Sequence, residues 1–213
     1  SYGRGHKKVR SGSSENLNKL CNQLLNGIAM PTSKAQRPSP SSSPSPWICR
    51  FLPLMKSKSR VLDLACGSGR HLRLLHALGH RVTGLDRDLT AVADLRDTEA
   101  VELLQADLED GSAFPLAGRH FDAVIVTNYL HRPLLPALVA LLAPDGLLLY
   151  ETFAQGNVQF GRPRNPDFLL QPGELLEAVR GRLQVLAYEH GKVTYPKPAV
   201  VQRIAARNDG VLQ

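Results

Sequence analysis

Cysteine is scarce in this chain: three residues, Cys21, Cys49 and Cys66, among 213. They are too few and too scattered for a disulfide framework or a zinc site. No metal is therefore expected, and a reducing, cytoplasmic compartment is the natural home. Aromatic residues are also thin, and Tyr2 alone is aromatic between positions 1 and 46. That removes the interleaved rings on which single-stranded RNA would stack, so nucleic acid is a disfavoured partner. No apolar run reaches the roughly 18 residues of a membrane helix, so no membrane partner is expected. The basic N-terminus lacks the apolar stretch of a secretory signal.

Acids are nearly missing from the first 60 positions, where 11 Lys/Arg face Glu15 alone. From position 61 onward, 15 Lys/Arg face 18 acids. The net charge of +7 thus belongs to the front of the chain. A basic arm can bind nucleic acid or an acidic surface, or it can be a solvated arm, the plainer expectation. Residues 31–46 are rich in Pro and Ser, cannot bury a core, and read as a linker. Upstream, Leu17, Leu20, Cys21, Leu24, Leu25 and Ile28 recur at helical spacing and predict a short helix at 14–26. Met30 could serve as an initiator, and no function is read from residues 1–29. The chain divides into a basic Pro/Ser-rich extension, 1–46, and a domain, 47–208.

In that domain a short helix from Trp47 precedes alternating segments. Strands are expected at 60–64, 81–85, 101–106, 122–127 and 146–152, and helices at 70–78, 89–96 and 133–142. The alternation predicts an α/β fold with a parallel sheet and helices on both faces. After a helix at 173–180, strands at 183–189 and 199–206 are joined without a helix. They are expected to be antiparallel neighbours.

The most informative segment runs from Val61 to Arg70, with Asp63-Leu64-Ala65-Cys66-Gly67-Ser68-Gly69 between strand and helix. Gly67 and Gly69 allow a sharp turn and close approach to a ligand, and the amides of the next helix point at whatever sits there. A dinucleotide loop would carry a third glycine where Leu72 stands, and a phosphate loop would carry Gly-Lys-Ser/Thr. What remains is an acid, Asp63, four residues before Gly67, and a carboxylate there suits a cationic ligand and would repel a pyrophosphate. A turn with no ligand is the bland alternative. Asp86, at the tip of the second strand, can accept hydrogen bonds from two ribose hydroxyls or cap a helix. Arg87 follows it and could lie beside a base.

This loop resembles the first motif of class I S-adenosylmethionine-dependent methyltransferases. The resemblance implies that Asp63, Ala65, Cys66, Gly67, Ser68 and Gly69 hold the methionine end of S-adenosyl-L-methionine. It implies that Asp107 meets the adenine amino group and that the Leu108 amide meets a ring nitrogen. Solvated loop acid is the alternative for Asp107. Thr127-Asn128-Tyr129-Leu130 and Phe168-Leu169-Leu170-Gln171-Pro172-Gly173-Glu174-Leu175 narrow the likeness. Residues 47–207 resemble bacterial small-molecule methyltransferases of the tellurite-resistance type. The order of elements is similar to that family's Rossmann-like seven-stranded sheet, five parallel strands plus a C-terminal antiparallel pair. The loop after the fourth strand lies beside the transferable methyl in the family. Thr127 is then expected at the cofactor, and Asn128, Tyr129 and His131 at the reaction, with His131 either a general base or a structural histidine. The Asn/Asp-Pro-Pro-aromatic motif of enzymes that methylate nucleic-acid amino groups is not present here. The loop 154–172 has the length of a lid or binding loop, and its Arg162 and Arg164 could contact an anionic substrate or be solvated.

The expected activity is methyl transfer from S-adenosyl-L-methionine to a small-molecule acceptor. The alternatives are a domain that binds the cofactor without turnover, or one that acts on a protein or RNA partner. A nicotinamide oxidoreductase is disfavoured by Leu72 and Asp63.

Overall fold

The computed structural model describes residues 43–194 and 197–210. The helix expected at 14–26 lies outside them. Short strands with nearly unbroken apolar character run through the centre. β1 (Arg60–Leu64), β2 (Arg81–Asp86) and β4 (Phe121–Thr127) are buried along almost their whole length. Parallel strands covered on both faces have this character. With β3 (Val101–Gln105), β5 (Leu142–Phe153), β6 (Gln184–Val193) and β7 (Ala199–Arg207) they form one sheet of order β3-β2-β1-β4-β5-β7-β6. β1 to β5 pair in parallel. β7 inserts between β5 and β6 and is antiparallel to both. The expected final pair is therefore antiparallel within itself, and β7 is the one reversed strand.

Each face of the sheet has its own core. On one side α1 (Pro46–Phe51) and α2 (Arg70–Ala77) cover Val61, Val82, Ile125 and Leu149. Trp47 is 2% exposed; its indole N–H donates to Ile204 O at 3.3 Å, and its ring meets Phe51 edge-on at 4.8 Å. On the other side α3 (Leu135–Ala140) and α4 (Glu174–Val179) cover Leu62, Val124, Leu148 and Tyr150. Among the described residues no helix is long and apolar enough to cross a membrane.

Two expected helices take other forms. Residues 89–96 make a 3-10 turn, Thr90–Leu95, in which Val92 is the one buried residue. A segment anchored at one point has little to enforce an α-helical stripe. The span 133–142 splits: Pro133 sits in a 3-10 turn at Arg132–Leu134, α3 follows, and β5 begins at Leu142. Leu142 pairs with Phe121, which pulls the end of the expected helix into the sheet.

Beyond β1 the strand order runs one way through β2 and β3 and the other way through β4 and β5. An open α/β sheet forms its crevice at such a switch, outside the carboxyl ends of the strands.

Candidate functional site

The chain leaves β1 through three left-handed residues, Ala65 (φ 54°), Gly67 (φ 52°) and Gly69 (φ 72°). Cys66 N–H donates to Leu85 O at 3.1 Å and Gly69 N–H to Cys66 O at 2.9 Å, which fixes the turn against β2. The two glycines serve different ends. A Cβ on Gly67 would meet nothing within 4 Å, whereas one on Gly69 would stand 2.4 Å from Val92 Cγ1. Gly67 faces the cleft; Gly69 lets the 3-10 turn pack against the loop, and it does not line the cleft.

Asp63 is 1% exposed, and its Oδ2 accepts the Leu72 N–H at 3.0 Å. Burial pushes its pKa up to about 7, against the pull of the Leu72 amide and Arg70. It lies beneath the loop and not in the cleft wall. Asp86 Oδ2 accepts Gly67 N–H at 2.8 Å and Oδ1 accepts Asp88 N–H at 3.1 Å. Each oxygen keeps a further lone pair for a ligand hydroxyl. Asp86 thus braces the glycine loop while presenting its carboxylate to the cleft. Burial pushes the Cys66 thiol up to about 12, with Asp63 and Asp86 adding to it. It is therefore a wall, not a nucleophile.

The cleft has a volume of about 1230 Å³. One end is built from the tips of β1, β2 and β3: Ala65, Cys66, Gly67, Ser68, Asp86, Arg87, Asp107, Leu108 and Glu109. Its acids outnumber Arg87 three to one. Thr127, Asn128 and Tyr129 stand at the middle. Asn128 takes a left-handed φ of 57°, which asparagine tolerates better than most residues, and its N–H donates to Glu151 O at 2.9 Å. Among the described residues the Tyr129 hydroxyl is buried without a hydrogen-bond partner. Burial, then the nearby Glu109, Asp107 and Asp86, raise its pKa above the usual phenol range.

The other end is framed by β5, Phe168 and the β6–β7 pair. Here Arg70, Lys192, Lys197 and Arg203 face the single carboxylate Glu151. Arg203 pairs with Glu151 at 3.2 Å, both side chains 15% exposed, and with Glu189 at 3.3 Å. Arg70 reaches Thr127 Oγ1 at 3.3 Å and Ser43 O at 3.4 Å. Ser43 to Pro46, which composition assigns to the linker, form part of this wall. Ser45 caps α1 by accepting Trp47 N–H at 3.1 Å, its hydroxyl donates to Glu151 Oε1 at 2.8 Å, and its N–H donates to His71 Nε2 at 2.9 Å. Burial, with Arg70 beside it, pushes the His71 pKa down to about 3. The ring therefore stays neutral and can accept that bond.

Of the expected site residues, the structure brings Ala65, Cys66, Gly67, Ser68, Asp86, Arg87, Asp107, Leu108, Thr127, Asn128 and Tyr129 to one cleft. It does not bring His131, Arg162 or Arg164 there. His131 follows the buried Leu130 and opens the turn Arg132–Leu134. Arg162 and Arg164 are exposed and flank Pro163, whose carbonyl is held at 3.3 Å by the buried Asn157. Asn157 also accepts Val200 N–H at 3.1 Å, so the loop is tied to β7 at that point. The cleft wall also includes Arg70, Glu151, Phe168, Lys192, Lys197 and Arg203, to which the sequence assigns no site role. The usable signal was Arg203, a charge inside the otherwise apolar strand Ala199–Arg207.

Among the described residues no cluster of His, Cys, Asp or Glu is placed to hold a metal ion. A cationic nucleoside fits the acidic end: open space over Gly67, a braced carboxylate at Asp86 and an unsatisfied hydroxyl at Tyr129.

Residues 61–146 match a family model described as a methyltransferase domain. Trans-aconitate 2-methyltransferase of Paracidovorax citrulli is 34% identical over 102 residues, 44% of this chain and 38% of that protein. Malonyl-[acyl-carrier protein] O-methyltransferase of Salmonella typhimurium is 35% identical over 103 residues, 46% of this chain and 40% of that protein. The matches thus span about two fifths of these relatives. TehB from Haemophilus influenzae superposes with a TM-score of 0.57 at 21% identity, over 71% of this chain and 58% of TehB, and shares the fold.

Proposed function

We propose that this chain, whose residues 61–146 match a methyltransferase domain, transfers the methyl group of S-adenosylmethionine to a small-molecule nucleophile. The observation that carries this reading is Asp86, braced by the Gly67 amide at 2.8 Å at the acid-rich end of the cleft. A cytoplasmic location is proposed with it, on the scarcity and scatter of cysteine.

When bound, S-adenosylmethionine supplies a methyl carbon attached to a positively charged sulfur. Asp86 would accept from the ribose hydroxyls, with Arg87 alongside the base. Asp107 and the Leu108 amide would meet the adenine edge. The loop from Ala65 to Ser68 would face the methionine end, with the Gly67 N–H kept on Asp86, while the buried Asp63 stiffens the loop from below through Leu72 N–H. Thr127, Asn128 and Tyr129 stand where cofactor and acceptor would meet, and their part is to align the two and exclude water. Alignment and desolvation can supply roughly 7–11 kcal/mol of a displacement barrier. An acceptor that is already anionic or soft needs no base, which agrees with the position of His131 outside the cleft wall.

The test is a screen of purified protein with S-adenosylmethionine against thiols, chalcogen oxyanions and carboxylates, read by S-adenosylhomocysteine formation and the mass of the product. Acceptor-dependent turnover is expected. A protein that binds the cofactor yet methylates only protein or RNA would replace this reading with the macromolecular one.

A further inference from the structure

The two ends of the cleft carry opposite charge. Asp86, Asp107 and Glu109 dominate the end assigned to the cationic cofactor, and four cations face Glu151 at the other. Glu151 is already committed to Arg203 and the Ser45 hydroxyl. Lys192 and Lys197, on either side of the β6–β7 connection, make no ion pair among the described residues. Their ammonium groups lie 5.7 Å from the Phe160 ring and 5.8 Å from the Phe153 ring. A small anion would satisfy these charges, but the space around them is apolar as well. Phe153, Phe168, Val193 and Val201 line it, and Phe168 is 45% exposed there. The volume of about 1230 Å³ exceeds the roughly 300–1,000 Å³ that accommodates one ligand of drug size. A cofactor with a four- or five-atom oxyanion would leave these apolar walls wet.

We infer that the acceptor is an organic anion, with its negative group at Lys192 and Lys197 and an apolar body against Phe153 and Phe168. The inference rests on the methyltransferase reading and adds a substrate class to it. A neutral acceptor would leave the two ammonium groups without a counter-charge, and a cationic one would be repelled. Organic sulfates and phosphates share this chemistry with carboxylates. The carboxylate is the form to test first, because its amide is a near-isosteric neutral control.

The experiment is calorimetry on the full chain saturated with S-adenosylhomocysteine. The titrants are a panel of aromatic and medium-chain aliphatic carboxylates, their primary amides, and inorganic phosphate. At least one carboxylate is expected to bind, with its amide and phosphate each weaker by about tenfold or more. Lys192→Gln with Lys197→Gln, both exposed and away from the acidic end of the cleft, should weaken that carboxylate by about tenfold and leave S-adenosylhomocysteine affinity unchanged. Equal binding of acid and amide, phosphate binding as tightly as any acid, no binding by the whole panel, or an unaffected double variant would each overturn the inference. A protein that binds no S-adenosylhomocysteine contradicts the methyltransferase reading itself, and this inference with it.

Discussion

Replacing Asp63 with Asn should raise stability relative to the native protein progressively as pH rises. The buried carboxyl is raised from 3.8 to about 7, chiefly by desolvation. A group whose folded pKa is raised binds its proton more tightly in the folded state. Its contribution is full below about pH 3.8 and is lost as pH rises to about 7. The rise from 3.8 to about 7 corresponds to about 4 kcal/mol, an upper figure for a fully buried group. Asn carries no such penalty, and its carbonyl oxygen can still accept the Leu72 N–H that Asp63 holds at 3.0 Å. The assay is urea unfolding of both proteins between about pH 4 and pH 8. The difference between them isolates position 63, because His71 and the remaining groups titrate in both. The variant should gain on the native protein through this window and hold its lead above pH 7. A difference that stays flat, or a variant that loses ground with rising pH, would refute the reasoning. A cation above the loop favours the charged carboxylate, so S-adenosylmethionine binding near neutral pH should release protons in the native protein and fewer in the variant.

Gly69→Ala should cost about 1–2 kcal/mol for the left-handed backbone, plus a clash with Val92, whose Cγ1 would stand 2.4 Å from the new Cβ. Adding Val92→Ala should recover the clash and not the backbone cost; thermal unfolding of Gly69→Ala, Val92→Ala and the double variant separates the two. Arg132 holds Glu174 at 2.6 and 3.0 Å and the carbonyls of Asp167 and Leu169 at 2.7 and 2.9 Å. Arg132→Ala should cost about 1–2 kcal/mol after allowance for its partial exposure and loosen residues 157–170. Hydrogen exchange there should accelerate, and unchanged protection would contradict the role given to Arg132.

The sheet was legible because its signal is local. Val61 to Leu64 and Phe121 to Val126 are apolar apart from Asp63 and Asp122 and are bounded by turns, and each forms a buried strand where expected. The acidic end of the cleft was legible for the same reason: Gly67, Asp86 and Asp107 sit at or next to strand tips whose order follows from β-α alternation. The basic end was not. Glu151, Lys192, Lys197 and Arg203 meet only because β7 inserts between β5 and β6, a pairing at long range that no spacing along the chain encodes. The long loop leaves Arg162 and Arg164 open to either substrate contact or solvation. What takes them out of the cleft is Asn157 binding Pro163 O and Val200 N, a tertiary contact. Ser45 shows the same limit in reverse, since a residue inside a Pro/Ser-rich stretch proves to be 4% exposed and bonded to Glu151 and His71.

The most direct test of the central claim is calorimetric titration of S-adenosylmethionine and of NAD into the native protein and into Asp86→Ala. S-adenosylmethionine should bind and NAD should not, and the substitution should weaken the former by about 1.5–3 kcal/mol through the lost hydrogen bonds to a charged acceptor. NAD binding without S-adenosylmethionine binding, or full affinity in Asp86→Ala, would contradict the account.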